Sequence, residues 1–86
     1  MTFCEHKVLR ILGAADMIRK PLTCEQISRV LNRVWPYSKP ITFAYVRSYM
    51  ERLHWGLSFV TCVDWERPAY RITELGHRAL VREFAR

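Results

Sequence analysis

The sequence predicts an α+β fold, mostly helical, in a single domain spanning residues 1–86: three helices in succession, a β-hairpin, and a last helix. Three observations predict it. Apolar residues recur at helical spacing in four separate stretches. One run, SFVTCVDW, is instead rich in β-branched and aromatic residues that alternate as in a strand. Glycine is confined to Gly13, Gly56 and Gly76, so the elements are joined by short connections.

The first helix opens on a capping box, in which Thr2 and Glu5 each satisfy a free amide of the first turn. Val8, Leu9, Ile11, Leu12, Ala15 and Ile18 then predict a helix from Phe3 to Ile18, closed before Pro21. Thr23 and Gln26 form a second capping box, flanked by Leu22 and Ile27 as a hydrophobic staple. Ile27, Val30, Leu31 and Val34 make the inward face of a short second helix. The connection WPYSKP is stiff, because neither Pro36 nor Pro40 can sit inside a helix. Aromatics beside Lys39 suit single-strand stacking, but Trp35 is read as closing the core between the second and third helices.

Thr42 caps the third helix, whose Phe43, Val46, Met50 and Leu53 share one inward stripe bordered by Tyr49. Gly56 follows His54 and Trp55 where a helix needs positive φ to close, and Leu57 returns to the core. Phe59, Thr61 and Val63 alternate with Val60, Cys62 and Asp64 in the first hairpin strand. Residues 64–68 form the turn and Ala69 to Ile72 the returning strand, with the segment around Leu22 placed to add a third. Thr73 caps the last helix, in which Leu75, Ala79, Leu80 and Phe84 repeat.

Half the residues are hydrophobic and 26% are charged, which excludes disorder. Fourteen Lys and Arg against eight acids give a net charge of +6, which suits a polyanionic partner or simply aids solubility. Cys4, Cys24 and Cys62 are too few and too scattered for a disulfide framework, so reduced thiols and a cytoplasmic location are expected. No apolar run approaches the ~18 residues of a membrane span. The start, MTFCEHK, does not read as a secretion signal.

Three helices, a hairpin and a final helix make the winged-helix plan, with a three-helix core and a two- or three-stranded β wing. Two stretches resemble winged helix-turn-helix regulators of the MarR and PadR type. Ile41 to Val60, ITFAYVRSYMERLHWGLSFV, resembles a recognition helix and the Gly-Leu step into the first wing strand. Tyr70 to Leu80, YRITELGHRAL, resembles the strand-Thr-x-x-Gly-helix passage after the wing. The chain departs from those families in carrying no counterpart of their long flanking helices, so their dimer geometry and ligand pocket are not transferred. Its WPYSKP connection is also longer than the turn of a minimal helix-turn-helix. The resemblance implies sequence-specific double-stranded DNA binding and transcription regulation. The third helix would enter the major groove, and the wing would touch the flanking backbone.

With the stripe inward, Tyr45, Arg47, Ser48, Glu51 and Arg52 fall outward or at the edge. Arg47 is the expected base contact, since its fork matches both acceptors of guanine, worth about 1–3 kcal/mol of discrimination. Thr42, Tyr45 and Ser48 are expected to reach bases or phosphates beside it. Arg29, Arg33, Lys39 and Arg52 are expected on the DNA backbone, although Arg29 also stands at pairing distance from Glu25. Arg67, Trp65 and Arg71 are the wing candidates; Trp65 equally suits packing over the core edge. Arg78, Arg82 and Arg86 form a basic edge on the last helix, which packs on the first helix or forms a homodimer seam.

No catalytic or metal-binding constellation is present. Cys4 and His6 are two apart and diverge on a helix, and His54 and His77 have no acidic partner at a telling spacing. No enzyme activity, metal, cofactor, small-molecule ligand or membrane partner is expected. The competing class is a winged-helix protein-interaction adaptor, for which Trp35, Tyr37, Tyr45, Trp55 and Trp65 are candidate anchors. RNA binding ranks below both.

Overall fold

A computed structural model of the chain describes residues 2–36 and 39–84, the last two by backbone alone. Tyr37 and Arg86 lie outside the described residues, as does the Phe84 side chain. The element order is α1 (Phe3–Asp16), β1 (Leu22–Thr23), α2 (Cys24–Val34), α3 (Phe43–Glu51), a π-helical turn (Arg52–Gly56), β2 (Val60–Asp64), β3 (Ala69–Ile72) and α4 (Glu74–Phe84). The protein is a small α+β fold of four α-helices and one antiparallel sheet, ordered β1-β3-β2. No described helix is long and apolar enough to cross a membrane.

Both capping boxes form. Thr2 Oγ1 accepts the Glu5 amide at 3.2 Å, and Glu5 Oε1 accepts the Thr2 amide at 3.0 Å. Thr23 and Gln26 repeat the exchange at 3.2 and 2.9 Å. Thr42 holds the capping position of α3, but its side chain makes no capping bond, which corrects the expectation. The start of α3 is instead fixed from α2. Asn32 donates to the Ile41 carbonyl at 2.9 Å and accepts the Ile41 amide at 2.8 Å, and Ser28 Oγ donates to the same carbonyl at 2.7 Å. Two polar side chains of α2 thus set where α3 begins, across a connection too long to do so itself.

Two helix ends differ from the sequence reading. α1 stops at Asp16, Arg19 turns the chain at φ 53°, and Ile18 is left exposed. At the end of α3 no glycine has positive φ. The helix widens into the π turn, Leu57 donates to the Arg52 carbonyl at 3.1 Å, and the left-handed residue is Ser58 at φ 57°. The wider turn postpones the reversal past Gly56.

The hairpin forms with Val60 opposite Ile72 and Cys62 opposite Tyr70; the register shifts between Cys62 and Asp64. β1 adds the third strand through Leu22 opposite Tyr70. Thr73 begins α4: its Oγ1 accepts the Gly76 amide at 3.1 Å and donates to the Ser58 carbonyl at 2.7 Å. Gly76 must be glycine, because a Cβ there would stand 2.3 Å from the Phe59 carbonyl oxygen. α4 packs on α1 with Leu80 over Gly13.

The core is one cluster centred on Leu9, Leu12, Ile27, Leu31, Met50 and Leu53, with Val60 and Ile72 from the sheet. Besides Ile18, four of the described residues expected in the core are exposed: Val30, Val34, Phe43 and Leu75. In α2 the buried face is centred on Cys24, Ile27, Ser28 and Leu31, which turns Val30 and Val34 to its edge. In α4 the buried Gly76 faces the sheet, so Leu75 is rotated about 100° away. Trp35 is half-buried against the core, with Lys7 Nζ 5.2 Å and the Arg10 guanidinium 5.7 Å from its ring centre.

Two acids organise the rest. Asp16 joins α1 to β3 and α4, with Arg71 and His77 each 2.9 Å away. His77 therefore has an acidic partner that its sequence neighbourhood did not reveal. Glu5, fully buried, receives Arg52 at 3.0 Å.

Candidate nucleic-acid interface

The inward stripe of α3 narrows to Val46 and Met50, continued by Leu53 in the π turn. The opposite strip of α3 carries Tyr45, Arg47, Ser48 and Glu51, all exposed, beside Thr42 and Phe43 at the helix start. Between α3 and the β2–β3 turn lies a half-open groove of about 990 Å³. Phe43, Arg47 and Glu51 form one wall and Trp65, Arg67 and Pro68 the other, with Trp55 also lining it. Cys24 and Tyr70 contribute at the sheet side. Burial pushes both the Cys24 thiol and the Tyr70 phenol up from their ordinary values, so neither offers an anion near neutral pH.

Two local devices set the far wall. Asp64 Oδ1 accepts the amides of Glu66 at 3.0 Å and Arg67 at 3.3 Å, which closes the turn. His54 stands edge-on to Trp55 at 4.5 Å and to Trp65 at 5.9 Å. Its Nδ1 is 3.0 Å from the Val60 carbonyl, which can only accept, so Nδ1 carries the proton. This aromatic group ties the hairpin turn to the end of α3. Trp65 is thus held at the groove edge, yet it remains 65% exposed, and Trp55 74%.

The cations divide into two groups. Arg52 and Arg71 are held by Glu5 and Asp16. Arg29 meets Glu25 at 2.6 Å, but both side chains are exposed and such a pair contributes at most about 1 kcal/mol. Arg78 pairs similarly with Glu74 at 2.8 Å. Arg33, Lys39 and Arg67 are exposed and make no ion pair among the described residues. Arg47 has only a loose contact, 3.9 Å, with Glu51.

Neither a family model nor a curated protein sequence matches the chain.

The structure therefore brings Arg47, Trp65 and Arg67 together around the groove, whereas Thr42, Tyr45 and Ser48 are exposed at α3 but do not line it. Arg71 and Arg52 are drawn away from it into ion pairs. No group of three or more His, Cys, Asp or Glu among the described residues could hold a metal ion. All three cysteines are free, with Cys24 buried and Cys4 and Cys62 half-buried. Sequence reasoning missed the Ser28–Asn32 clamp and the His54–Trp55–Trp65 group. Both join elements through side chains that carry no periodic signal.

Proposed function

We propose that this protein binds double-stranded DNA sequence-specifically, as a winged-helix transcription regulator. In this reading α3 lies in the major groove and the β2–β3 turn is the wing tip on the flanking backbone. The observation that carries it is the exposed Arg47 on the α3 wall of the groove, with Arg67 across from it and Tyr45 and Ser48 also exposed on the outer surface of α3. A helix with its side chains is about 10–12 Å across, which suits the roughly 12 Å major groove. Arg33 and Lys39, exposed and without an ion pair among the described residues, supply phosphate contacts, and the exposed Arg29 pair can open to a phosphate at small cost.

Anisotropy titration of labelled duplexes at several salt concentrations tests this reading. Affinity should fall with salt at a log–log slope of about −0.9 per phosphate neutralised. Arg47→Ala should weaken the preferred duplex by roughly 5- to 150-fold and flatten base preference. Arg33→Ala should weaken all duplexes alike and reduce the slope by about one. No duplex binding at low salt, or identical behaviour of the two variants, contradicts the assignment.

A second reading is a protein-interaction adaptor. It is favoured by the exposure of Phe43, Trp55 and Trp65 around one groove, since aromatics anchor protein interfaces. The same titration separates the two, because an adaptor would show no steep salt-dependent duplex binding.

A further inference from the structure

The α3 wall of the groove carries an acid, Glu51, as well as an arginine, Arg47. Glu25, beside it in the groove, is engaged by Arg29 at 2.6 Å. Asp64 is occupied by two turn amides, Glu5 by Arg52 and Asp16 by Arg71 and His77. Among the described residues Glu51 has only the 3.9 Å approach of Arg47 Nε, and neither of these two side chains makes a hydrogen bond there. Both are about two-thirds exposed on the same strip, one helical turn apart.

A carboxylate facing DNA repels phosphates and lowers affinity for every sequence unless a donor in the groove meets it. A carboxylate only accepts, and the major-groove donor that suits it is the N4 amino group of cytosine. Adenine N6 is also a donor, but the N7 acceptor beside it repels an anion. Four helical residues rise about 6 Å and stacked base pairs about 3.4 Å, so Glu51 stands one or two base pairs from the base that Arg47 meets. Resting on the DNA-binding reading above, we propose that Glu51 is a specificity-determining residue that selects a cytosine one or two base pairs from the guanine read by Arg47.

Selection from a duplex pool randomised across the bound stretch tests this with the wild type, Glu51→Gln and Glu51→Ala. The wild type should prefer cytosine at that position by roughly 5- to 150-fold. Glu51→Gln should shift the preference to adenine, whose N6 and N7 a carboxamide bonds together. Glu51→Ala should erase the preference and tighten binding to unrelated duplexes, because an anion has gone. Because the side chain is exposed, thermal melts of both variants should match the wild type. If the Arg47-dependent guanine is selected but both variants keep the wild-type base at the second position, this assignment is wrong while DNA binding stands. If the wild type binds no duplex, both fall.

Discussion

The corner where α1, β3 and α4 meet and the face between α3 and the hairpin use charge in opposite ways. At the corner, the Asp16 carboxylate is taken by Arg71 and His77 together, and at the opposite end of α1 Glu5 is buried against Arg52. At the face, Arg47 touches Glu51 loosely and the Arg67 guanidinium makes no ion pair among the described residues. The corner is closed chemistry that holds three elements together. The face keeps donors and aromatic rings open to a partner. A count of cations along the chain conceals this division, because Arg47, Arg52 and Arg71 look alike until the fold assigns their acids.

Substitutions sharpen that contrast when they separate stability from binding. The largest expected effect is on the structural side. Gly76→Ala forces a methyl group toward the Phe59 carbonyl and should cost about 3 kcal/mol, lowering Tm by roughly 12–24 °C. Differential scanning calorimetry measures it; an unchanged Tm would mean that the α4–hairpin contact is not tight. Asn32→Ala removes both bonds to Ile41 and should cost about 1–2 kcal/mol in chemical denaturation. It should also weaken duplex binding, because the start of α3 loses its clamp.

The smallest effect is a pH dependence at the corner. Hydrogen bonds from His77 first, then from Arg71, hold the Asp16 carboxyl below its ordinary value. A lowered folded-state pKa means that this stability is fully present above the unfolded value, near pH 4, and is lost as pH falls through the folded pKa. Asp16→Asn should remove that part of the acid-side slope in Tm against pH and leave duplex affinity at neutral pH nearly unchanged. A large loss of affinity in Asp16→Asn would break the separation of the two regions.

Much of this was legible in the sequence where the signal was local. Thr2 with Glu5 and Thr23 with Gln26 gave true helix starts, because a capping box is contained within four residues. The hairpin followed from alternation and its turn from Asp64 to Pro68. The misreadings were tertiary. Phe43 continues the apolar spacing of α3, yet Ile41, held by α2, closes the core there and Phe43 lies on the groove wall. Arg71 and His77 reach Asp16 across 55 and 61 residues, a distance that no periodicity encodes. Gly56 marked the end of α3, but the π turn moved the left-handed residue to Ser58. For the candidate face, the outward placement of Tyr45, Arg47 and Ser48 was readable from helical phase alone. The stapling of Trp65 through His54 and Trp55 was not.

The most direct test is a backbone-amide NMR titration of the 86-residue chain with a preferred duplex. The amides of Tyr45, Arg47 and Ser48 and of the 65–67 turn should shift most, while those of Asp16, Arg71 and His77 stay nearly still. Shifts concentrated at the α1–α4 corner, or none on α3, would contradict the account.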